Sequence, residues 1–302
     1  MTKTYHGHGK LLITGEYAVL EGAQALALPT KKGQTLTVEQ HEGEHALSWN
    51  SFDANGECWF SCIFNNQLKV QETNNVKIAD TLKQVLEACR SLNPFFLTDE
   101  VTVNVTTHLE FNRKWGWGTS STLIHNLAQW AAINPYQVLA KTFGGSGYDL
   151  ACANAKQPIL YKREENTPRV KPVSWKPEFL QDLLIIYLNE KQNSRNEVSR
   201  FKGQQIDKKE FANKISSLTE IILQCNDQNE FETFISEHEA ITGSAIGKTP
   251  IQKQHFHDYP GAIKSLGAWG GDFILATRGN SDYFKQKGYE TIFHLKDIIP
   301  EE

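Results

Sequence analysis

A strand pattern gives way to a helix pattern across two glycines near the middle of the chain, and this switch limits the fold more than any other feature. Val101, Val103 and Val105 alternate with Thr102, Asn104 and Thr106, the period of a half-buried strand. Beyond Gly116 and Gly118, Leu123, Leu127 and Ala131 recur at helical spacing until Pro135 closes the segment. Neither period carries on into the other, so strand and helix must pack as neighbours joined by a tight turn. The same mixture runs through the rest of the chain. Lys10–Thr14 reads as a short buried strand opened by Lys10, and Gln34–Gln40 with Ala46–Trp49 as a hairpin around Gly43. Val76–Leu92, Lys208–Cys225 and Phe231–Ile241 have helical spacing, and 183–188, 273–276 and 291–295 read as strands. There is no regular βαβ alternation, which favours α+β over a doubly wound sheet. A polar stretch, Glu164–Pro177, carries Pro168, Pro172 and Pro177 and predicts a division into two domains, 1–170 and 171–302.

With 302 residues, 39% hydrophobic and 22% charged, the chain can fill a core. Lys and Arg number 31 against 35 Asp and Glu, a net charge of -4, which argues against a nucleic-acid partner. A locally basic pocket for a small acidic substrate remains compatible with that balance. No stretch approaches the roughly 20 apolar residues of a membrane span. Met1–Lys10 is polar and unlike a secretory signal, and the odd cysteine count (Cys58, Cys62, Cys89, Cys152, Cys225) suits a reducing cytoplasm. Oligomeric state is not legible.

Three motifs imitate known chemistry. His41-Glu42-Gly43-Glu44-His45 has zinc-protease spacing, but Gly43 and its strand-like flanks argue for a hairpin turn over a helix. Gly243–Thr249 resembles a P-loop yet is one residue short, and a helix precedes it where a strand is required. His255 and His257 read as surface residues of a polar loop.

Three glycine-rich segments carry the functional signal. Gly116-Trp117-Gly118-Thr119-Ser120-Ser121 opens a helix, where free N–H groups and the macrodipole suit a polyphosphate. Thr119 or Ser120 is expected to cap that helix, and the hydroxyls can reach Mg²⁺, which prefers oxygen ligands. Upstream, Gly9-Lys10 leads through an apolar run to Gly15-Glu16-Tyr17. Downstream, Lys264 is followed by Gly267-Ala268-Trp269-Gly270-Gly271-Asp272.

In this order the segments resemble the GHMP small-molecule kinases, named for galactokinase, homoserine kinase, mevalonate kinase and phosphomevalonate kinase. The family's P-x-x-x-G-L-G-S-S-A-A stands here as Asn112 to Thr122, without the proline and with Trp117 for leucine. Its G-A-G-G-G-G stands as Gly267–Asp272, with Trp269 and Asp272 replacing glycines. Gly15–Glu21 and Ser146-Gly147-Tyr148-Asp149 look most like bacterial phosphomevalonate kinases. Val138 stands where mevalonate kinases carry a metal-binding glutamate.

The resemblance implies a ribosomal-protein-S5-like N-terminal half and a ferredoxin-like C-terminal half, with ATP and Mg²⁺ as cofactors. It implies Lys10 and Asp149 as catalytic residues and Gly116, Gly118, Thr119, Ser120 and Ser121 around ATP, with Ser120 also on the metal. Glu16, Tyr17, Ser146, Gly147, Arg195, Gly267 and Gly270 are expected on the substrate side, with Asn193 and Ser194 beside Arg195. The expected activity is phosphoryl transfer from ATP to phosphomevalonate. The alternatives are mevalonate, another small acid, amino-alcohol or sugar, a decarboxylating relative, or a non-catalytic nucleotide-binding homologue.

Overall fold

A computed structural model describes residues 1–301 except 44–45, 99–100, 166 and 193, and except the side chains of 194 and 195. The described chain packs as two units. Unit 1 comprises Met1–Gly9, Lys32–Arg113 and Trp117–Asn154, and unit 2 comprises Lys10–Lys31, Lys114–Gly116 and the chain from Ala155 onward. Composition suggests one division at residue 170, whereas the packed units are discontinuous in sequence.

Strands β1 (Thr2–Leu12) and β2 (Gln24–Glu42) supply residues to both units. Unit 1 adds β3 (Ala46–Phe52), β4 (Cys58–Asn65), β5 (Val70–Thr73), α1 (Val76–Leu92), β6 (Val101–Leu109), α2 (Thr119–Trp130), α3 (Pro135–Lys141) and α4 (Tyr148–Asn154). The strand order is β5-β4-β3-β6-β2, with β1 on β2. The expected hairpin of β2 with β3 does not form. Strand β6 lies between them, antiparallel to β2 and parallel to β3. Val103 and Val105 bury one face of β6, and its two backbone edges are paired by β2 and β3. One face of the sheet joins α1 and α2 in a core that includes Leu36, Trp49, Phe64, Val105, Leu86 and Leu127. Burying each large side chain contributes roughly 1.5–3 kcal/mol. Asn75 caps α1 by accepting from Ile78 N–H, so the helix starts where its apolar stripe does.

In unit 2, the first residues of β2 pair with β7 (Ile159–Lys162), which pairs with β8 (Arg169–Pro172). A second, four-stranded sheet has the order β10-β11-β9-β12, all antiparallel. Its strands are β9 (Leu184–Tyr187), β10 (Ile263–Leu266), β11 (Phe273–Ala276) and β12 (Ile292–His294). The helices are α5 (Ser194–Lys202), α6 (Lys208–Gln224), α7 (Gln228–Ile246), α8 (Ile251–His255), α9 (Ser281–Gln286) and α10 (Leu295–Ile298). Every residue of β9, β10 and β11 is buried, which explains the unbroken apolar character of β9 and β11, while β10 buries Lys264 and Ser265. Asp207 and Asp227 cap α6 and α7 through side-chain acceptors. No helix among the described residues is long and apolar enough to cross a membrane, and all five cysteines are free thiols.

Candidate active site

The glycine turn does what its sequence requires. Gly116 and Gly118 have φ of 65° and 93°, values that L side chains rarely adopt. Gly118 is itself the N-cap of α2, with no side-chain cap, so the expected capping by Thr119 or Ser120 does not occur. Those residues already lie inside the helix. Ser120 is exposed in the first turn, where its hydroxyl is available. Ser121 is turned inward at 4% exposure and lies 2.8 Å from Asp149 Oδ2 and 3.2 Å from the Gly118 carbonyl. With one hydroxyl proton, it donates to the nearer, charged acceptor. Ser121 therefore holds Asp149, rather than standing open to a nucleotide.

Asp149 sits in the first turn of α4, just after Ser146 and Gly147, whose φ of 84° makes the entry bend. Two residues that sequence reasoning missed fix the start of α2. Thr122 Oγ1 donates to Gln34 Oε1 at 2.7 Å, and Asn126 Nδ2 donates to the Gln34 carbonyl at 2.8 Å. Gln34, on β2, is 2% exposed. The signal that could have found it is a polar side chain in an otherwise apolar strand. Trp117 is buried against Phe111 with ring centroids 5.8 Å apart.

In unit 2, Lys10 does not open a strand. It lies near the end of β1, between buried Gly9 and Leu11. The segment ending at Gly116 is tied to the second sheet by Trp115, which packs edge-on against Phe293 and Phe273 at 5.1 and 5.9 Å. Asp272 comes to Gly116 from the end of the third glycine segment. A methyl group on Gly116 would meet Asp272 Oδ2 at 2.6 Å, so a glycine is required for contact as well as for φ. Asp272 Oδ1 accepts from Gln192 N–H at 3.1 Å. Burial pushes the Asp272 carboxyl up, opposed by that N–H and by the positive charges of Lys10 and Lys191.

Glu16 is expected on the substrate side, yet it is enclosed at 1% exposure. It pairs with the fully buried Lys264, which also donates to the Ser265 carbonyl at 2.9 Å. His238, also fully buried, accepts from Gly15 N–H at Nε2, 3.0 Å away, and its burial pushes the imidazole well below its usual range. Glu239 accepts from Ser265 N–H and from its hydroxyl at 2.8 Å, and burial raises its carboxyl to about 7. Tyr17 packs on Phe201 at 5.4 Å and is 6% exposed. Glu16 and Tyr17 thus face protein in this conformation.

Gly267 and Gly270 have φ of 70° and 100°, and a side chain on Gly267 would meet open space. Trp269, the odd residue in that glycine run, joins Tyr17, Phe201, Phe211 and Ile215 in a buried cluster. Lys248 donates to its carbonyl at 2.9 Å and to Glu197 at 2.6 Å. The P-loop imitation is thereby explained: Gly243 closes α7 against Trp269, Gly247 is its left-handed C-cap, and the lysine braces the third glycine segment. Asn193, the side chains of Ser194 and Arg195, and Glu44 and His45 of the zinc-like motif lie outside the described residues. No metal-binding group of three or more His, Cys, Asp or Glu occurs among the described residues.

No family model and no curated protein matches the sequence. The fold does match. A crystal structure of mevalonate kinase superposes with a TM-score of 0.70 at 14% identity, covering 99% of this chain and 100% of that one. Streptococcus pneumoniae phosphomevalonate kinase, solved with phosphomevalonate and AMPPNP, gives 0.70 at 15% identity, covering 97% and 99%. Lactococcus lactis galactokinase, solved with galactose, gives 0.67 at 11% identity, covering 99% and 93%. The chain therefore has the two-part α+β fold of the GHMP kinases.

Proposed function

We propose that the protein is an ATP-dependent small-molecule kinase, with phosphomevalonate as the preferred acceptor. The observation that carries this reading is Asp149, held by Ser121 from the first turn of the helix that the glycine turn opens. Phosphoryl transfer asks mainly for positioning and charge stabilisation. Asp149 would orient the acceptor and take its proton or hydrogen bond. Lys10 would neutralise charge developing on the transferred group. If the acceptor is itself a phosphate monoester, a strong base is unnecessary, because such a nucleophile is already largely ionised near neutral pH.

The donors on the first unit suit Mg²⁺: a hydroxyl at Ser120 and a carboxylate at Asp149 are hard oxygen ligands. When bound, the ion would supply positive charge to the phosphates. The protein would contribute the first-turn N–H groups of α2 and the Asp149 carboxylate. Gly147 and the open Gly267 remain proposed substrate-side elements, as do Ser146, Gly270 and Arg195. Glu16 and Tyr17 are proposed to act through the shape of their loop.

Two named neighbours point to the mevalonate pathway and one to a sugar, so the acceptor is tested as a panel. ADP release would be followed with MgATP and mevalonate, phosphomevalonate, homoserine or galactose in parallel. Turnover confined to phosphomevalonate is the expected outcome. Turnover on mevalonate alone moves the assignment by one acceptor, and ATP binding without turnover on any acceptor supports the non-catalytic alternative.

A further inference from the structure

We propose that His238 is a positioning residue for the acceptor: one bare ring nitrogen holds the strained turn Gly15–Tyr17 in shape. The inference rests on the kinase reading, in which that turn acts through its shape, and names the group that sets the shape. Every residue it uses lies in unit 2. Thr14 N–H is still bonded to the Leu26 carbonyl, at 3.3 Å, but the next N–H, that of Gly15, is bonded to a side chain 223 positions away. Gly15 has φ of 99°, and a methyl group on it would meet Ala25 Cβ at 2.5 Å. Tyr17 has φ of 60°, a left-handed conformation that disfavours a residue with a Cβ. Such strain persists only where the surroundings over-determine it, and it collects at functional sites.

Each residue of the turn has its own support. Gly15 N–H donates to His238 Nε2 at 3.0 Å, the Glu16 carboxylate accepts from Lys264, and the Tyr17 ring packs on Phe201 at 5.4 Å. Only the histidine of these three supports grips the backbone, so it fixes the bend itself. The contact also dictates the state of the ring. A backbone N–H can only donate, so Nε2 carries no proton, and the neutral ring keeps its proton on Nδ1, 3.4 Å from Thr242 Oγ1 on α7. Glu16 Oε2 lies 3.6 Å from Nε2 and would favour a second proton there, but Lys264 neutralises that carboxylate. Full burial and the Lys264 charge keep the imidazole uncharged.

A histidine that merely fills space makes a different prediction. The test is steady-state kinetics of wild type, His238→Met and His238→Gln with MgATP and phosphomevalonate, or the panel acceptor that wild type turns over. Methionine fills the space and removes the acceptor nitrogen, whereas glutamine offers an amide oxygen to Gly15 N–H. H238M should raise the acceptor KM at least about tenfold and leave the MgATP KM within about twofold of wild type. H238Q should recover most of that loss. A space-filling role predicts lower melting temperatures in both variants with no change confined to the acceptor. An unchanged acceptor KM in folded H238M overturns the inference and leaves the kinase reading standing. Long-range proton–nitrogen NMR spectra of wild type test the same contact without a variant, which covers failure of H238M to fold. A His238 ring with its proton on Nδ1 is expected, and a proton on Nε2 overturns the inference. Absence of wild-type turnover on every acceptor of the panel overturns the kinase reading and this inference with it.

Discussion

Two motif carboxylates, Asp149 and Glu16, meet opposite environments. Asp149 is partly open, at the start of a short helix, and accepts from a neutral hydroxyl, that of Ser121. Glu16 is closed off, 1% exposed, and paired with a lysine of zero exposure. A carboxylate that must exchange protons or hydrogen bonds with a substrate needs the first environment. The second neutralises charge inside the protein, and a buried pair of that kind becomes costly when one partner is removed. Motif membership alone did not separate the two roles; burial and partner did.

The largest expected effect falls on the open carboxylate. Asp149→Asn should lower turnover by about 10²–10⁴-fold while thermal unfolding stays near wild type. Lys10→Met should behave similarly. A variant that loses stability in step with activity would erase the contrast with Glu16. At the closed site the order is reversed. Lys264→Met should destabilise by about 3–5 kcal/mol in urea unfolding, because it strands Glu16 in the interior. The double variant with Glu16→Leu should recover part of that loss, and strict additivity would show that the two residues do not act as a pair.

A smaller effect is expected at Ser121→Ala. Losing a hydrogen bond to a charged group is worth about 1.5–3 kcal/mol, so turnover should fall roughly ten- to a hundred-fold with nucleotide affinity unchanged. Equal loss of nucleotide affinity would return Ser121 to the role expected from sequence.

The smallest effect within any one pH unit is a pH dependence at Glu239. Its carboxyl is raised to about 7 in the fold, from an ordinary value of 4.5, with Lys264 and Glu16 facing it. Below pH 4.5 both folded and unfolded states carry the proton. Between 4.5 and 7 the unfolded chain has lost it and the fold has not, so stability falls as pH rises, and above about 7 the loss is complete. Glu239→Gln lacks this slope, so its stability relative to wild type should improve through that window, by at most ~1.4 kcal/mol per pH unit. Parallel stability curves from pH 4.5 to 7 would contradict the buried assignment.

Much of the fold was legible because it depends on local periodicity. The helix read at Val76–Leu92 and the strand at Phe273–Ala276 match α1 and β11 end to end. The hairpin of β2 with β3 failed because pairing partners are a tertiary choice: β3 is adjacent in sequence, but β6 pairs with both β2 and β3. At the site, the glycine turn was legible through its conformational demand. The Lys264–Glu16 pair spans 248 positions, a separation at which sequence gives no sign of contact. Gln34 was hidden for a similar reason, since its value lies in what α2 presents to it. Of the two residues that replace glycines in the third segment, Trp269 anchors it in a buried cluster and Asp272 brings a carboxyl group to Gly116.

The most direct test of the central claim is ADP release by wild type and Asp149→Asn, measured side by side with MgATP and phosphomevalonate after matched melting curves confirm both folds. The account predicts steady turnover in wild type and a fall of at least about a hundredfold in the variant. Near-equal rates in two folded proteins would remove Asp149 from the chemistry and contradict the site described here.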